Sequence, residues 1–210
     1  MREQFVPRLG TLSTMLRSLV AFVLAAPWLQ AQVPDRPLHL RDATSATCGY
    51  GTAHDDRSID GLPLAVGEVT AERGIGTHAP AELTFAVPAN QRWFTCWFGV
   101  AAERGTNGSI ALRVLADERE VLTSAVTRGG AAPLWIAAPI LGAKTMRLVV
   151  TDAGDGNGAD HANLLWPTWR GHEVAPEGHL PGVVTFAGQG KAPADSLLFA
   201  DRPAQQFVEA

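Results

Sequence analysis

The residues best suited to do chemistry lie between Thr151 and Asn163. The run reads Thr-Asp-Ala-Gly-Asp-Gly-Asn-Gly-Ala-Asp-His-Ala-Asn, which places Asp152, Asp155, Asp160 and His161 in one glycine-rich loop. Carboxylate and amide oxygens are the ligands that hard cations such as Ca²⁺ take, and they also accept hydrogen bonds from sugar hydroxyls. Glycine lets the backbone turn with φ > 0, and Asp and Asn cap such turns themselves. Three readings stay open: a hard cation, a polyhydroxylated ligand, or a turn that hydrogen-bonds to itself. Asp152 and Asp155 are the candidate Ca²⁺ ligands. Their spacing is not that of an EF-hand, because the twelfth position counted from Asp152 is Asn163 rather than Glu. Two of the carboxylates could serve as acid and base, as glycosidases use them. No second acidic motif is clearly placed to face them, and no residue is assigned a catalytic role.

His78, between Thr77 and Ala79, and His161 can each hydrogen-bond a sugar hydroxyl or brace a loop through both ring nitrogens. Neither has an HExxH context or an obvious nucleophile nearby. Trp93 and Trp97 alternate with Phe94, Cys96, Phe98 and Val100, so both fall on the strand face away from the expected core. Exposed indoles stack well on the C–H face of a pyranose; the alternative is that a second layer covers them. His78, Asp160, His161, Trp93 and Trp97 form the candidate carbohydrate-binding set.

Short strands must position these groups. Period-two alternation marks Ala81–Val87, Trp93–Val100, Ser109–Leu115 and Thr145–Thr151, with shorter segments at Glu120–Ser124 and Pro133–Ala138. Gly, Pro, Asn and Asp separate them. That pattern predicts an all-β fold, an antiparallel β-sandwich over about residues 38–170, with Phe85, Phe94, Phe98, Ile110, Leu112, Leu148 and Val150 in its core. Cys48 and Cys96 can form a disulfide or stay as free thiols, and their spacing matches no zinc motif.

The N-terminus reads as a secretory signal over residues 1–31: Arg17, an apolar run from Leu19 to Ala26, and Ala31 at the expected cleavage point. A signal anchor is the alternative. Cleavage predicts a secreted or periplasmic protein with no membrane segment left, and the mature balance is 14 basic against 20 acidic residues. A net charge of −4 for the whole chain argues against a nucleic-acid partner. After Trp169 the composition turns to Gly, Pro and Ala. Residues 171–195 read as a linker with one short strand at Val183–Phe186, and apolar character returns over 196–210.

Two stretches resemble a known family. Gly74-Ile-Gly-Thr-His-Ala-Pro-Ala-Glu-Leu83 resembles the signature of the NPCBM domain, the novel putative carbohydrate-binding module, and Leu148–Gly156 followed by Asp160-His161-Ala162 is similar to that family's closing motif. Phe98-Gly99-Val100, Gly108-Ser109-Ile110 and Asp60–Leu64 fall where the family has matching strands. The chain departs from the pattern after Asn163, where Leu164 and Leu165 precede Trp166. The resemblance implies a galactose-binding-like β-sandwich (jelly roll), a sugar site at a loop end and a structural Ca²⁺. Leu197–Ala210 resembles the opening of family 95 glycoside hydrolases, the α-L-fucosidase type. Together they imply a non-catalytic module that binds terminal galactose- or fucose-containing glycans and serves a downstream glycoside hydrolase. A structural docking domain without sugar binding and a small stand-alone hydrolase are the alternatives.

Overall fold

The computed structural model describes residues 33–172, 176–178 and 180. The expected signal segment, the strand expected at Val183–Phe186 and the segment 196–210 lie outside the described residues. Within them the chain forms fourteen strands: β1 (Arg36–Pro37), β2 (Ala43–Thr47), β3 (His54–Asp55), β4 (Leu64–Val66), β5 (Val69–Ala71), β6 (Gly74–His78), β7 (Ala81–Ala86), β8 (Trp93–Val100), β9 (Ser109–Ala116), β10 (Arg119–Thr123), β11 (Thr127–Arg128), β12 (Leu134–Pro139), β13 (Thr145–Thr151) and β14 (His161–Arg170). No helix among the described residues is long and apolar enough to cross a membrane.

Two antiparallel sheets make a sandwich. The first runs β12-β8-β14-β6-β3, with β1 also paired to β14; the second runs β10-β9-β13-β7-β2, with β11 on β9. The second sheet shows why the alternation was readable. Along β13 every second residue, Met146, Leu148 and Val150, is buried, and the residues between are not. Leu148 stands opposite Leu83 on one side and Val114 on the other, so three strands present one apolar face. That face closes on Phe94, Cys96 and Phe98 of β8. All seven residues expected in the core are at most 1% exposed. Each large side chain buried this way contributes about 1.5–3 kcal/mol.

The first sheet is covered on both faces. Its outer face carries the hairpin β4–β5, and a second apolar cluster forms there from Leu64, Val66, Ala71, Trp97 and Leu165. Close approach is enforced by glycine at two places. A Cβ on Gly99 would collide with Val66, and one on Gly76 would collide with the Arg57 carbonyl and Ser58. This layer corrects the expectation of two exposed indoles. Trp97 is 6% exposed, beneath the hairpin and against Trp135. Trp93 is half-buried, and its indole N–H donates to the His172 carbonyl.

Cys96 lies in the inter-sheet core, where burial pushes its thiol pKa up, while Cys48 sits half-buried beside Thr77. Both are free thiols, so the disulfide alternative does not hold. The glycine-rich loop is also shorter than its composition suggests, because β14 begins at His161 rather than after Asn163.

Candidate functional site

The pairing of β6 with β14 decides the site. It sets His161 directly opposite His78 at one end of the first sheet, with both side chains on the outer face. The rings meet edge to face at 5.1 Å. His78 Nδ1 donates to the Ala79 carbonyl at 2.6 Å, which fixes its ring plane. On its other side lies Tyr50, with ring centroids 5.6 Å apart. Tyr50 is 63% exposed, unusual for an aromatic ring beside two buried histidines.

His161 Nδ1 faces two carboxylates. Asp60 Oδ2 is 3.3 Å away and Glu103 Oε1 is 3.9 Å away. Asp60 comes from the tight turn between β3 and β4, closed by the Gly61 N–H donating to the Ser58 carbonyl at 2.9 Å. Glu103 comes from the short 3₁₀ turn Ala102–Arg104 that follows β8, and Arg104 beside it approaches Asp60 to 3.8 Å. Asp60, Glu103 and His161 offer donor atoms all within 4.8 Å of one another. Three buried atoms here have no hydrogen-bond partner: His161 Nδ1, Glu103 Oε1 and Arg104 Nε. Burial holds the His161 pKa below the ordinary imidazole range; Arg104 and His78 push the same way, and Asp60 and Glu103 oppose them.

Asp160 behaves differently from its neighbour. It is completely buried, and its Oδ1 accepts the Ser109 N–H of β9 at 2.8 Å. Its Oδ2 has no partner. Burial raises its pKa; the Ser109 N–H opposes this, and Asp155 and Asp152 add to the rise. The residue borders a polar cavity of about 470 Å³, shared with Asn107, Ser109, Arg128, Asp155 and Asn157. In that cavity Asp155 accepts the Ser109 hydroxyl at 2.6 Å and lies 3.6 Å from Arg128. Asp152 caps its own turn, accepting the Gly154 N–H at 3.0 Å.

The structure therefore brings together His78 and His161, and separately Asp155 and Asp160. Among the described residues the convergent group of His, Cys, Asp and Glu side chains is Asp60, Glu103 and His161. Asp152 has its turn, and Asp155 has Ser109 and Arg128. Asp155 and Asp160 both line the polar cavity, where Asp160 Oδ2 has no hydrogen-bond partner.

Sequence reasoning did not select Tyr50, Asp60, Glu103 or Arg104 as site residues. The available signal was a Glu-Arg pair two alanines after the largely apolar strand Trp93–Val100, where charge is not expected to sit idle. As chemistry, the cluster holds carboxylates that accept from hydroxyls, a guanidinium and an imidazole that can donate, and a phenol ring at the rim. Those are the groups that bind a neutral polyol through paired donors and acceptors and one stacked face.

The NPCBM/NEW2 domain profile matches residues 36–169. The chain belongs to the NPCBM/NEW2 family. It is a carbohydrate-binding module of the class that glycoside hydrolases carry. Its backbone is similar to the CBM51 module of a Clostridium perfringens GH95 protein, solved in complex with methyl-galactose. That match has a TM-score of 0.60 and 31% identity, and covers 65% of this chain and 99% of that one. A second Clostridium perfringens structure, of CBM51-2 and INT domains of ZmpB with GlcNAc, matches at a TM-score of 0.61 and 25% identity, over 66% of this chain and 32% of that one. Among curated proteins, this chain is 34% identical over 155 residues to a Renibacterium salmoninarum protein named as an endo-alpha-N-acetylgalactosaminidase. It is 28% identical over 123 residues to alpha-1,3-galactosidase B of Akkermansia muciniphila. These alignments take in 71% and 57% of this NPCBM chain but span only 10% and 16% of the two relatives.

Proposed function

We propose that this NPCBM module binds a terminal galactose-type sugar at the loop end formed by Tyr50, Asp60, Glu103, Arg104 and His161, with His78 holding Tyr50 and His161 in place. The observation that carries this reading is the set of unpartnered buried atoms, His161 Nδ1, Glu103 Oε1 and Arg104 Nε, gathered beside an exposed aromatic ring. A buried polar atom without a partner costs about 1–3 kcal/mol, and a ligand hydroxyl that pairs it recovers that penalty on binding. The methyl-galactose and GlcNAc named with two structural neighbours support a small neutral hexose as the occupant.

A single rim site of this kind binds weakly, and such a module works by raising the local concentration of an attached enzyme on its substrate. We therefore read the module as part of an exported glycoside hydrolase. The likeness to a GH95 module agrees with the fucosidase-type resemblance of residues 197–210, while the curated relatives are named for galactosaminide and galactoside cleavage. Fucose-containing glycans stay within the proposal as carriers of the terminal galactose.

Ca²⁺ enters as a structural ion at the second position, held by Asp155 and Asp160. Its charge would relieve the carboxylate repulsion there and tie the glycine-rich loop to the start of β9. Titration calorimetry with methyl galactoside tests the sugar reading. Binding that Arg104→Ala weakens at least about tenfold and Trp97→Phe leaves intact is expected; binding indifferent to Arg104, Glu103 and Tyr50 would refute it.

A further inference from the structure

The segment after β14 has the composition of a free linker, yet its first part packs on the sandwich. Trp93 Nε1 donates to the His172 carbonyl at 3.1 Å, and His172 Nε2 lies 3.4 Å from Asp35 Oδ1. Further on, Trp135 Nε1 donates to the Pro176 carbonyl at 3.2 Å. Gly178 lies so close over the same indole that a Cβ there would stand 2.6 Å from the ring. Leu180 packs against the cluster of Leu64, Val66, Ala71, Trp97 and Leu165.

These contacts have a direction. Arg170, the last residue of β14, pairs with Trp93 at the start of β8, which is the end of the sheet away from His161. Trp135 stands opposite Trp97, four residues further along β8. At the rise of an extended strand the two levels are about 13 Å apart. His172 thus lies at the far end of the sheet, whereas Pro176 and Gly178 lie on its outer face, nearer the end that carries His78 and His161. Two indole N–H groups that would otherwise need water are satisfied by backbone carbonyls of this segment, and a glycine stands where only a glycine fits.

We propose that Pro176, Gly178 and Leu180 form a strap that stays docked on Trp135 and the neighbouring apolar cluster. The outer-face tryptophans Trp97 and Trp135 then serve as an intramolecular docking surface rather than a sugar platform. The tether to whatever the chain carries beyond Leu180 starts beside the hairpin β4–β5, not at the end of β14. A tether anchored there limits the orientations that a following moiety can take relative to a glycan held at the loop end, where a free linker starting at Gly171 would not.

The test uses NMR on the full chain, with a synthetic peptide of residues 172–182 as the undocked reference. Docking predicts a Gly178 Hα resonance moved upfield from its peptide position by the indole ring current, cross-relaxation between Gly178 Hα and the Trp135 ring, and slowed exchange of the Trp135 Nε1 proton. Gly178→Val should leave the Hα of the substituted residue at its peptide position without cross-relaxation to Trp135 and speed exchange of the Trp135 Nε1 proton, while leaving the resonances of Phe85 and Leu148 in place. Trp135→Phe, which keeps a ring but removes the donor, should keep part of the Gly178 shift and leave methyl galactoside affinity within twofold. Peptide-like Gly178 shifts in the unmodified chain, with no cross-relaxation to Trp135, would overturn the proposal. A tenfold loss of sugar affinity in Trp135→Phe would overturn the assignment of the indoles to docking and return them to the sugar.

Discussion

The outer face of the first sheet has two halves that share strands and differ in chemistry. Toward one half, Trp97 of β8 and Leu165 of β14 meet Leu64 and Val66 of the hairpin in an apolar contact whose buried unpaired polar atom is the single Trp97 indole N–H. In the other half, His161 of the same β14 and His78 of β6 meet Asp60, Glu103 and Arg104, and polar atoms are buried without partners. The difference teaches where function can reside on a fully covered sheet. An apolar contact is complete once its neighbours touch, and adding a ligand gains nothing. A polar cluster is complete only when every donor and acceptor is paired, and this one is not.

The comparison can be broken from its apolar side with the largest effect. Trp97→Ala or Leu165→Ala removes a filled volume and should cost about 3–5 and about 2–5 kcal/mol of stability respectively, measured by denaturant unfolding. Sugar affinity at a temperature where the variant is folded should be unchanged. A marked loss of affinity would show that the two halves are not independent.

On the polar side, Arg104→Ala or Glu103→Gln should lower affinity for methyl galactoside by at least about tenfold, equivalent to about 1.4 kcal/mol. The melting temperature should hardly move, since a residue that leaves a partner unpaired contributes little to the free protein. Loss of melting temperature without loss of affinity would make the cluster a brace rather than a site.

Acidity sharpens the contrast further. The His161 pKa is depressed in the folded chain, so the unfolded chain takes up the proton first as pH falls below 6.5. Stability contributed by neutral His161 is present above that pH and is lost on acidification toward the folded value. His161→Asn should flatten this part of the stability profile, and Leu165→Val should not. Asp160 works in the opposite sense: its raised pKa makes deprotonation costly, so its contribution declines as pH rises through the ordinary carboxylate value of 3.8 toward the folded one.

The smallest expected effect concerns the metal. Removing Ca²⁺ with a chelator should lower the melting temperature by the amount that linkage gives a native-state ligand, and Asp155→Asn should abolish that response. Identical melting curves with chelator and with millimolar Ca²⁺ would remove the ion from the account.

How much of this was legible follows from the same two-faced geometry. The second sheet has one wet face, so Met146, Leu148 and Val150 alternate with Thr145, Arg147 and Val149, and β13 is found with the bounds expected. The strands β6 and β14 are buried on both sides and have no alternation to show. Gly74-Ile-Gly-Thr-His shows no strand alternation because its glycines make room for the covering layer. β14 carries Pro167 and a register shift after Leu165, where Trp166 takes a φ of 48°. His78 and His161 could be picked out because they lie in long signature runs. Tyr50 and Asp60 could not, and Glu103 and Arg104 showed only as a charged pair after a strand, since the four come from three separate loops and converge only through topology.

The central claim is that a sugar occupies the unpaired half of this face. The direct measurement is an NMR titration of the ¹⁵N-labelled chain with methyl galactoside. The account predicts saturable shift changes centred on Tyr50, Asp60, Glu103, Arg104 and His161, with the amides around Trp97 and Leu165 unmoved. Saturable changes that fall instead around Trp93, Trp97 and Trp135, with Arg104 and His161 silent, would contradict it.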